Sequence, residues 1–158
     1  MRKIILRGEL FMERVNVMME DPQAMETMMG FDKYLEKVSV PRITIDLILI
    51  RASQLNGCGF CIDMHTKEAR KNGETDQRML GLSGWKHSTF YTDEERAALQ
   101  ITEELTTLPH QKVSDDAYKE LTNYFNHNQI GEIIMAIVAI NSWNRFVIAQ
   151  GIKAPSNI

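Results

Sequence analysis

Cysteine, proline and glycine are all scarce: the 158 residues include 2 Cys, 4 Pro and 9 Gly. Two cysteines cannot staple a secreted disulfide scaffold. With 44% hydrophobic and 25% charged residues, the shortage of Pro and Gly also excludes a disordered or collagen-like chain. Basic residues are not in excess either, 18 Lys and Arg standing against 21 Asp and Glu for a net charge of −3 and a pI near 5.8. A nucleic-acid partner, which calls for a strongly basic field, is not expected. The apolar start is broken at Arg7 and Glu9, too early for a signal-peptide core. The most apolar stretch, Ile133 to Ala149, is interrupted by Asn141, Ser142, Asn144 and Arg145, and by this reading falls short of the roughly 20 apolar residues of a bilayer span. The expectation is a soluble cytoplasmic protein with no membrane partner. In a reducing compartment, closely spaced cysteines are more often catalytic or metal-binding than structural.

Period-two alternation is rare, and no βαβ rhythm, repeat or low-complexity segment is visible. What is present is helical punctuation. The chain reads as one all-α domain over residues 1–158, a helical bundle large enough to bury a core. A short helix is expected over about residues 6–19. Asp21-Pro22, an N-cap followed by proline at the first helical position, opens a second to about Val38. Pro41 opens a third to about Leu55, stopped by Asn56-Gly57, residues that tolerate positive φ. A fourth covers about residues 58–71 and ends at Asn72-Gly73. Thr92 to Glu95 matches a capping box, and the helical spacing behind it runs to a stop at Pro109. Ser114-Asp-Asp starts another, with Tyr118, Leu121 and Phe125 on one side. The last, about residues 129–150, holds eight consecutive apolar residues from Ile133 to Ile140. A helix apolar all round must be buried all round, in the middle of the bundle or between subunits. The methionines crowded at positions 18, 19, 25, 28 and 29 read as packing.

Chemistry is concentrated in Asp46 to His65, which contains both cysteines as Cys58-x-x-Cys61 with His65 four residues after the second. On a helix these three lie one turn apart on a single face. The Asn56-Gly57 turn puts Cys58 at the helix N-terminus, where free N–H groups and the dipole favour a thiolate, the reactive form of sulfur. His65 is the i+4 neighbour of Cys61, so as a general base it serves Cys61. Cys61 is then the attacking thiol and Cys58, nearer the helix tip and solvent, the resolving one, closing a disulfide that a dithiol can reopen by exchange. Two other readings stand beside this. Cys58, Cys61 and His65 could be three zinc ligands of an interaction module, although a structural site wants four and His87, His110 and His127 are scattered singly. Both cysteines could also be small buried hydrophobes.

The string Arg51 to Thr75, with Ser53-Gln-Leu-Asn-Gly-Cys58-Gly-Phe-Cys61-Ile-Asp-Met-His65 at its centre, resembles the alkylhydroperoxidase D-like branch of the carboxymuconolactone decarboxylase family. The resemblance continues through Trp85, the Thr92 run and Glu103 to Thr106, and loosely into Ile130 to Ile134 and Asn141 to Arg145. It implies an all-helical subunit in a homo-oligomer, trimer or hexamer, with the redox core at about residues 41–108. It further implies a thiol-dependent peroxidase or disulfide reductase with no cofactor of its own, taking a hydroperoxide or disulfide as substrate and a dithiol as reductant. In the family the second motif cysteine attacks and the first resolves, which corresponds to Cys61 and Cys58. The motif histidine corresponds to His65, and the relay acid twelve positions before the first cysteine to Asp46. Two departures stand out. The relay acid is Asp rather than Glu, one methylene shorter, and Phe60 replaces a second histidine, so peroxide turnover is expected to be weak. The wider family name also leaves a lyase acting on a small acidic substrate, for which Arg51, His65 and Arg145 are the available groups. The carboxylates of Glu94, Glu95, Asp115 and Asp116 read as helix-start charges, Glu103 and Glu104 as solvated, and Asp63 as surface. Trp85 and Trp143 read as packed.

Overall fold

The computed structural model describes residues 3–6, 9–12, 14–108 and 112–156. The chain begins with two short strands, β1 (Lys3–Leu6) and β2 (Glu9–Met12), paired antiparallel with Lys3 opposite Met12. Among the described residues everything else regular is helical: α1 (Val17–Glu20), α2 (Pro22–Leu35), α3 (Arg42–Asn56), α4 (Gly59–Lys71), α5 (Asp76–Gly81), a 3₁₀ segment (Leu82–His87), α6 (Asp93–Thr106), α7 (Asp115–Tyr124) and α8 (His127–Gln150). The all-α class holds. The expected helix over residues 6–19 does not: strand β2 and the single turn α1 occupy its described part. Two apolar runs, Ile4 to Leu6 and Leu10 to Met12, stand either side of an Arg-Gly pair, which is a hairpin pattern rather than a helical one. The expected stop at Pro109 and the histidine at 110 lie outside the described residues.

The helix boundaries follow from their caps. Asp21 accepts the Ala24 N–H at 3.1 Å, and Pro22 occupies the first turn of α2. Gly57, at φ 67°, takes the left-handed conformation that ends α3, and Gly151 does the same for α8 at φ 71°. The Thr92–Glu95 capping box is formed at α6, and Asn126 with Gln129 forms a second at α8. Each satisfies two backbone donors that the first turn leaves free.

The bundle is built round α3, which packs on α4, α6 and α8. All seven residues from Thr44 to Ile50 are buried, so α3 has no solvent face over two turns. Ile45, Ile48 and Ala52 meet Ala98 and Ile101 of α6 and Ile133, Ala136, Ile137 and Ile140 of α8. Each isoleucine enclosed in this way stabilises the fold by about 2 kcal/mol. Ile133, Ile137 and Ile140 are thus used up inside the chain's own core, while Ile134 and Met135 are half-buried and Val138, at 39% exposure, faces outward. By length and composition α8 is sufficient to cross a membrane, contrary to the expectation that it falls short; here it is a helix round which α3, α2 and α6 pack.

Two carboxylates expected at the surface are structural. Glu104 on α6 is buried and accepts the N–H and hydroxyl of Ser114, fixing the start of α7. Glu103 accepts from Arg51 Nε and Nη2 and from Trp85 Nε1, tying α6 to α3 and to the 3₁₀ segment. Glu132 on α8 accepts the backbone N–H groups of Ser39 and Val40 and so places the entry to α3.

Candidate active site

Gly57 turns the chain so that Cys58 becomes the N-cap of α4, its N–H donating to the Ser53 carbonyl at 3.0 Å. Cys61 lies one turn on, with a Cα–Cα separation of 5.3 Å, and the two are joined as a disulfide. Val147 of α8 and Phe60 pack against the pair. Both cysteines are 1% exposed, so Cys58 is not the more solvent-accessible of the two, as its place near the helix tip had suggested; Val147 and the close of the turn cover it. What separates them is the direction each faces. Cys61 lines a cavity of about 400 Å³, whereas Cys58 does not.

That cavity is an apolar chamber. Phe60 and Met64 of α4 line it with Trp143, Phe146 and Val147 of α8, and Met18 and Met25 close the N-terminal side. The N-terminal methionines therefore do not pack a core: Met18, Met19 and Met29 are exposed, and Met18 and Met25 form chamber wall. A volume of this size matches ordinary small-molecule pockets.

His65 stands one turn beyond Cys61 and lines the same chamber. Its Nε2 is shielded from solvent and has no hydrogen-bond partner, the one buried side-chain polar atom in that state among the described residues. Burial pulls its pKa down to about 4, the Arg42 guanidinium adds to this, and Glu68 partly offsets it. The imidazole is therefore neutral near pH 7, able to accept or donate a hydrogen bond but a weak base.

The expected relay acid is not joined to His65. Asp46 Oδ1 accepts from Arg42 Nε at 3.0 Å and Oδ2 from Asn72 Nδ2 at 2.7 Å, so both carboxylate oxygens have other partners. Burial raises its pKa against those two hydrogen bonds. Arg42 and Asp46 are four apart on one helix, a spacing at which opposite charges meet. That signal was present in the sequence.

On its other side His65 borders a second cavity of about 520 Å³, lined by Asp32 and Glu36 of α2, Arg42 of α3, and Glu68 with Asn72. His65, Met64 and Asp32 border both spaces. Trp143 Nε1 donates to Asp32 Oδ1 at 3.1 Å across the wall between α8 and α2.

Sequence reasoning missed the polar lattice behind the disulfide. Asn56 Nδ2 donates to Asn141 Oδ1 and Asn144 Oδ1 at 3.0 and 2.9 Å, and Asn144 Nδ2 donates to Ser53 Oγ at 3.1 Å. Asn144 is fully buried. The lattice fixes the end of α3, and hence the turn that presents Cys58, to α8. Asparagines within an otherwise apolar helix are the available signal, since such groups are buried only with partners.

Other candidate groups are not gathered at the site. Arg51 is committed to Glu103 and Gln54, and Arg145 bonds Asn141 beside a separate cavity between α6 and α8. Asp63 pairs with Lys67. Among the described residues no three His, Cys, Asp or Glu are grouped as metal ligands would be.

The chain is similar to several known proteins. The model of the Carboxymuconolactone decarboxylase family matches residues 22–104, over half of the chain. The uncharacterized protein YdfG of Bacillus subtilis (strain 168) is 44% identical over 144 residues, covering 91% of this chain and 98% of its own. The uncharacterized protein YnjA of Escherichia coli (strain K12) is 30% identical over 127 residues, covering 78% and 69%. A crystal structure of an Agrobacterium tumefaciens protein of unknown function, suggested to be the antioxidant defence protein AhpD, superposes with a TM-score of 0.88 at 35% identity, covering 92% of this chain and all of that one. The debrominase Bmp8 shares the fold, with a TM-score of 0.80 at 21% identity over 88% of this chain and 75% of that one. With a matched family model and an AhpD-like neighbour over nearly its whole length, the chain belongs to the carboxymuconolactone decarboxylase family, in its alkylhydroperoxidase D-like branch.

Proposed function

We propose that this chain is a thiol-dependent oxidoreductase of antioxidant defence, a peroxidase or disulfide reductase that cycles Cys58 and Cys61 between dithiol and disulfide. The observation that carries the reading is that a sulfur of the Cys58–Cys61 pair and the unpartnered imidazole of His65 face one apolar chamber. In the dithiol form His65 takes the Cys61 proton, and the position of Cys61 in the first turn of α4 favours its thiolate. The thiolate attacks the outer oxygen of a hydroperoxide: an S–O bond forms, the O–O bond breaks, and the alcohol leaves with a proton. Cys58 then attacks the Cys61 sulfenic acid, forming the disulfide and releasing water. A small or protein dithiol returns two electrons and two protons by exchange through a mixed disulfide. The scheme needs no metal or flavin.

The apolar chamber suits an organic hydroperoxide better than hydrogen peroxide. Phe60 can carry no proton where the family has a second histidine, and the Asp46 carboxylate is held by Arg42 and Asn72. Leaving-group protonation therefore rests on His65, and hydroperoxide turnover should run well below that of a dedicated peroxidase. The assembly belongs to the same reading: a homo-oligomer, trimer or hexamer, in the cytoplasm. Its expected signature is a native mass of three or six chains, and a monomeric mass contradicts it.

The test is the rate at which each cysteine of the reduced protein reacts with iodoacetamide across pH, in wild type and in His65→Ala. The reading predicts that the apparent pKa of Cys61 shifts in the variant while that of Cys58 moves less. An unmoved Cys61 profile removes His65 as its base.

A further inference from the structure

The geometry points to Glu68 as the group through which His65 exchanges its proton with solvent, by way of the polar cleft rather than the apolar chamber. The inference rests on the thiol redox reading and specifies how that site handles protons. With Asp46 bound to Arg42 and Asn72, His65 needs another route, and the one carboxylate on the chamber side, Asp32, is held by Trp143. His65 lies in the partition between the two cavities, the chamber that holds Cys61 and the cleft that Glu68 lines. Glu68 follows His65 by three residues on α4, a spacing that puts side chains on the same face with Cβ atoms about 5–6 Å apart. Asp46 lines neither cavity.

The other charges facing the imidazole leave Glu68 best placed. From α2 come Asp32, held by Trp143, and Glu36; from α3 comes Arg42, which opposes an imidazolium; on α4 itself Lys71 pairs with Glu68 at 2.9 Å. The chamber wall contributed by α8, including Trp143 and Gln150, has no ionisable group. Glu68 and His65 act on each other electrostatically, the carboxylate favouring the protonated ring. When the disulfide is reduced, Cys61 leaves as a thiolate and takes a proton from one imidazole nitrogen, and the ring regains one on the cleft side by way of the Glu68 carboxylate, which draws it from solvent. On oxidation the protons run the other way.

The experiment follows reduction of the Cys58–Cys61 disulfide by dithiothreitol in dilute buffer, by quench and mass spectrometry, in wild type, Glu68→Gln, Glu68→Asp, Asp46→Asn and His65→Ala, each checked for fold by circular dichroism. Glu68→Gln is expected to slow reduction by about tenfold, less than the roughly hundredfold of an acid in direct contact, because Glu68 acts through His65. Added formate or acetate, small enough for the cleft, should restore the rate as its concentration rises, and Glu68→Asp should keep most of it. Asp46→Asn should react like wild type. A Glu68→Gln rate equal to wild type, or one that the carboxylates do not restore, overturns the inference. If His65→Ala is slow while Glu68→Gln is not, only this inference falls; if His65→Ala also matches wild type, the redox role of His65 falls with it.

Discussion

Along α6 each buried carboxylate is surrounded by donors. Glu95 accepts from Arg78 and from the Thr92 N–H, and Glu104 from Ser114 and Gln100. Along α4 the buried Nε2 of His65 has no donor or acceptor at all. An unpaired polar atom in a protein interior costs on the order of 1–3 kcal/mol, so a fold that satisfies its other buried groups keeps this one only at a place with another use. The α6 side consists of groups that hold the bundle together. The α4 side keeps an imidazole free, facing a chamber that also holds a sulfur.

Mutations on the two sides should separate stability from chemistry. The largest effect on stability is expected for Glu95→Ala, which leaves Arg78 with Glu74 as its one remaining carboxylate partner and opens the capping box of α6. Losing one of the two carboxylates of this part-buried network together with the cap should cost about 3 kcal/mol in urea unfolding, with the thiol chemistry of the folded protein unchanged. A comparable loss of disulfide-reduction rate at retained fold would erase the distinction.

Next comes acid. The pKa of His65 is about 4 in the folded chain and near 6.5 when unfolded, so between those values the unfolded chain binds the proton first. Stability is fully present above about pH 6.5 and falls as the pH drops toward 4, by on the order of 3 kcal/mol. His65→Gln should flatten that slope relative to wild type. Parallel slopes for the two proteins in that window contradict the buried neutral imidazole.

Asn144→Ala should cost about 2 kcal/mol, since it leaves Ser53 and Asn56 without their shared partner. It should also alter the reduction rate of the disulfide, because the lattice holds the turn before Cys58. Smallest is Thr92→Ala, which removes an exposed cap for about 1 kcal/mol and should leave the site untouched.

Much of this layout was legible in the residues. The caps at Asp21, Thr92 and Ser114 and the glycine at 57 delimit helices by local chemistry, and the Cys58, Cys61, His65 spacing places three groups on one helical face whatever surrounds it. The N-terminus was misread because its apolar residues suit a hairpin and a helix about equally over so short a run. Helix α5 and the 3₁₀ segment were not anticipated: they are short, and Gly81 and Gly84 weaken any helical pattern. Whether Asp46 serves His65 depended on competition with Arg42 and Asn72. The first competitor is visible at i−4, while the second comes from the far end of α4 and meets Asp46 only in the folded chain. Likewise Cys58 and Cys61 look alike in spacing; it is the packing of α8 that leaves one facing a chamber and the other enclosed.

The most direct measurement is a count of free thiols in the reduced protein before and after one equivalent of an organic hydroperoxide, repeated in Cys61→Ser and Cys58→Ser. The account predicts the loss of two thiols per wild-type chain, their return with dithiothreitol, no fast loss in Cys61→Ser, and a sulfenic acid at Cys61 that persists in Cys58→Ser. A wild-type chain that keeps both thiols, or that is oxidised first at Cys58, contradicts it.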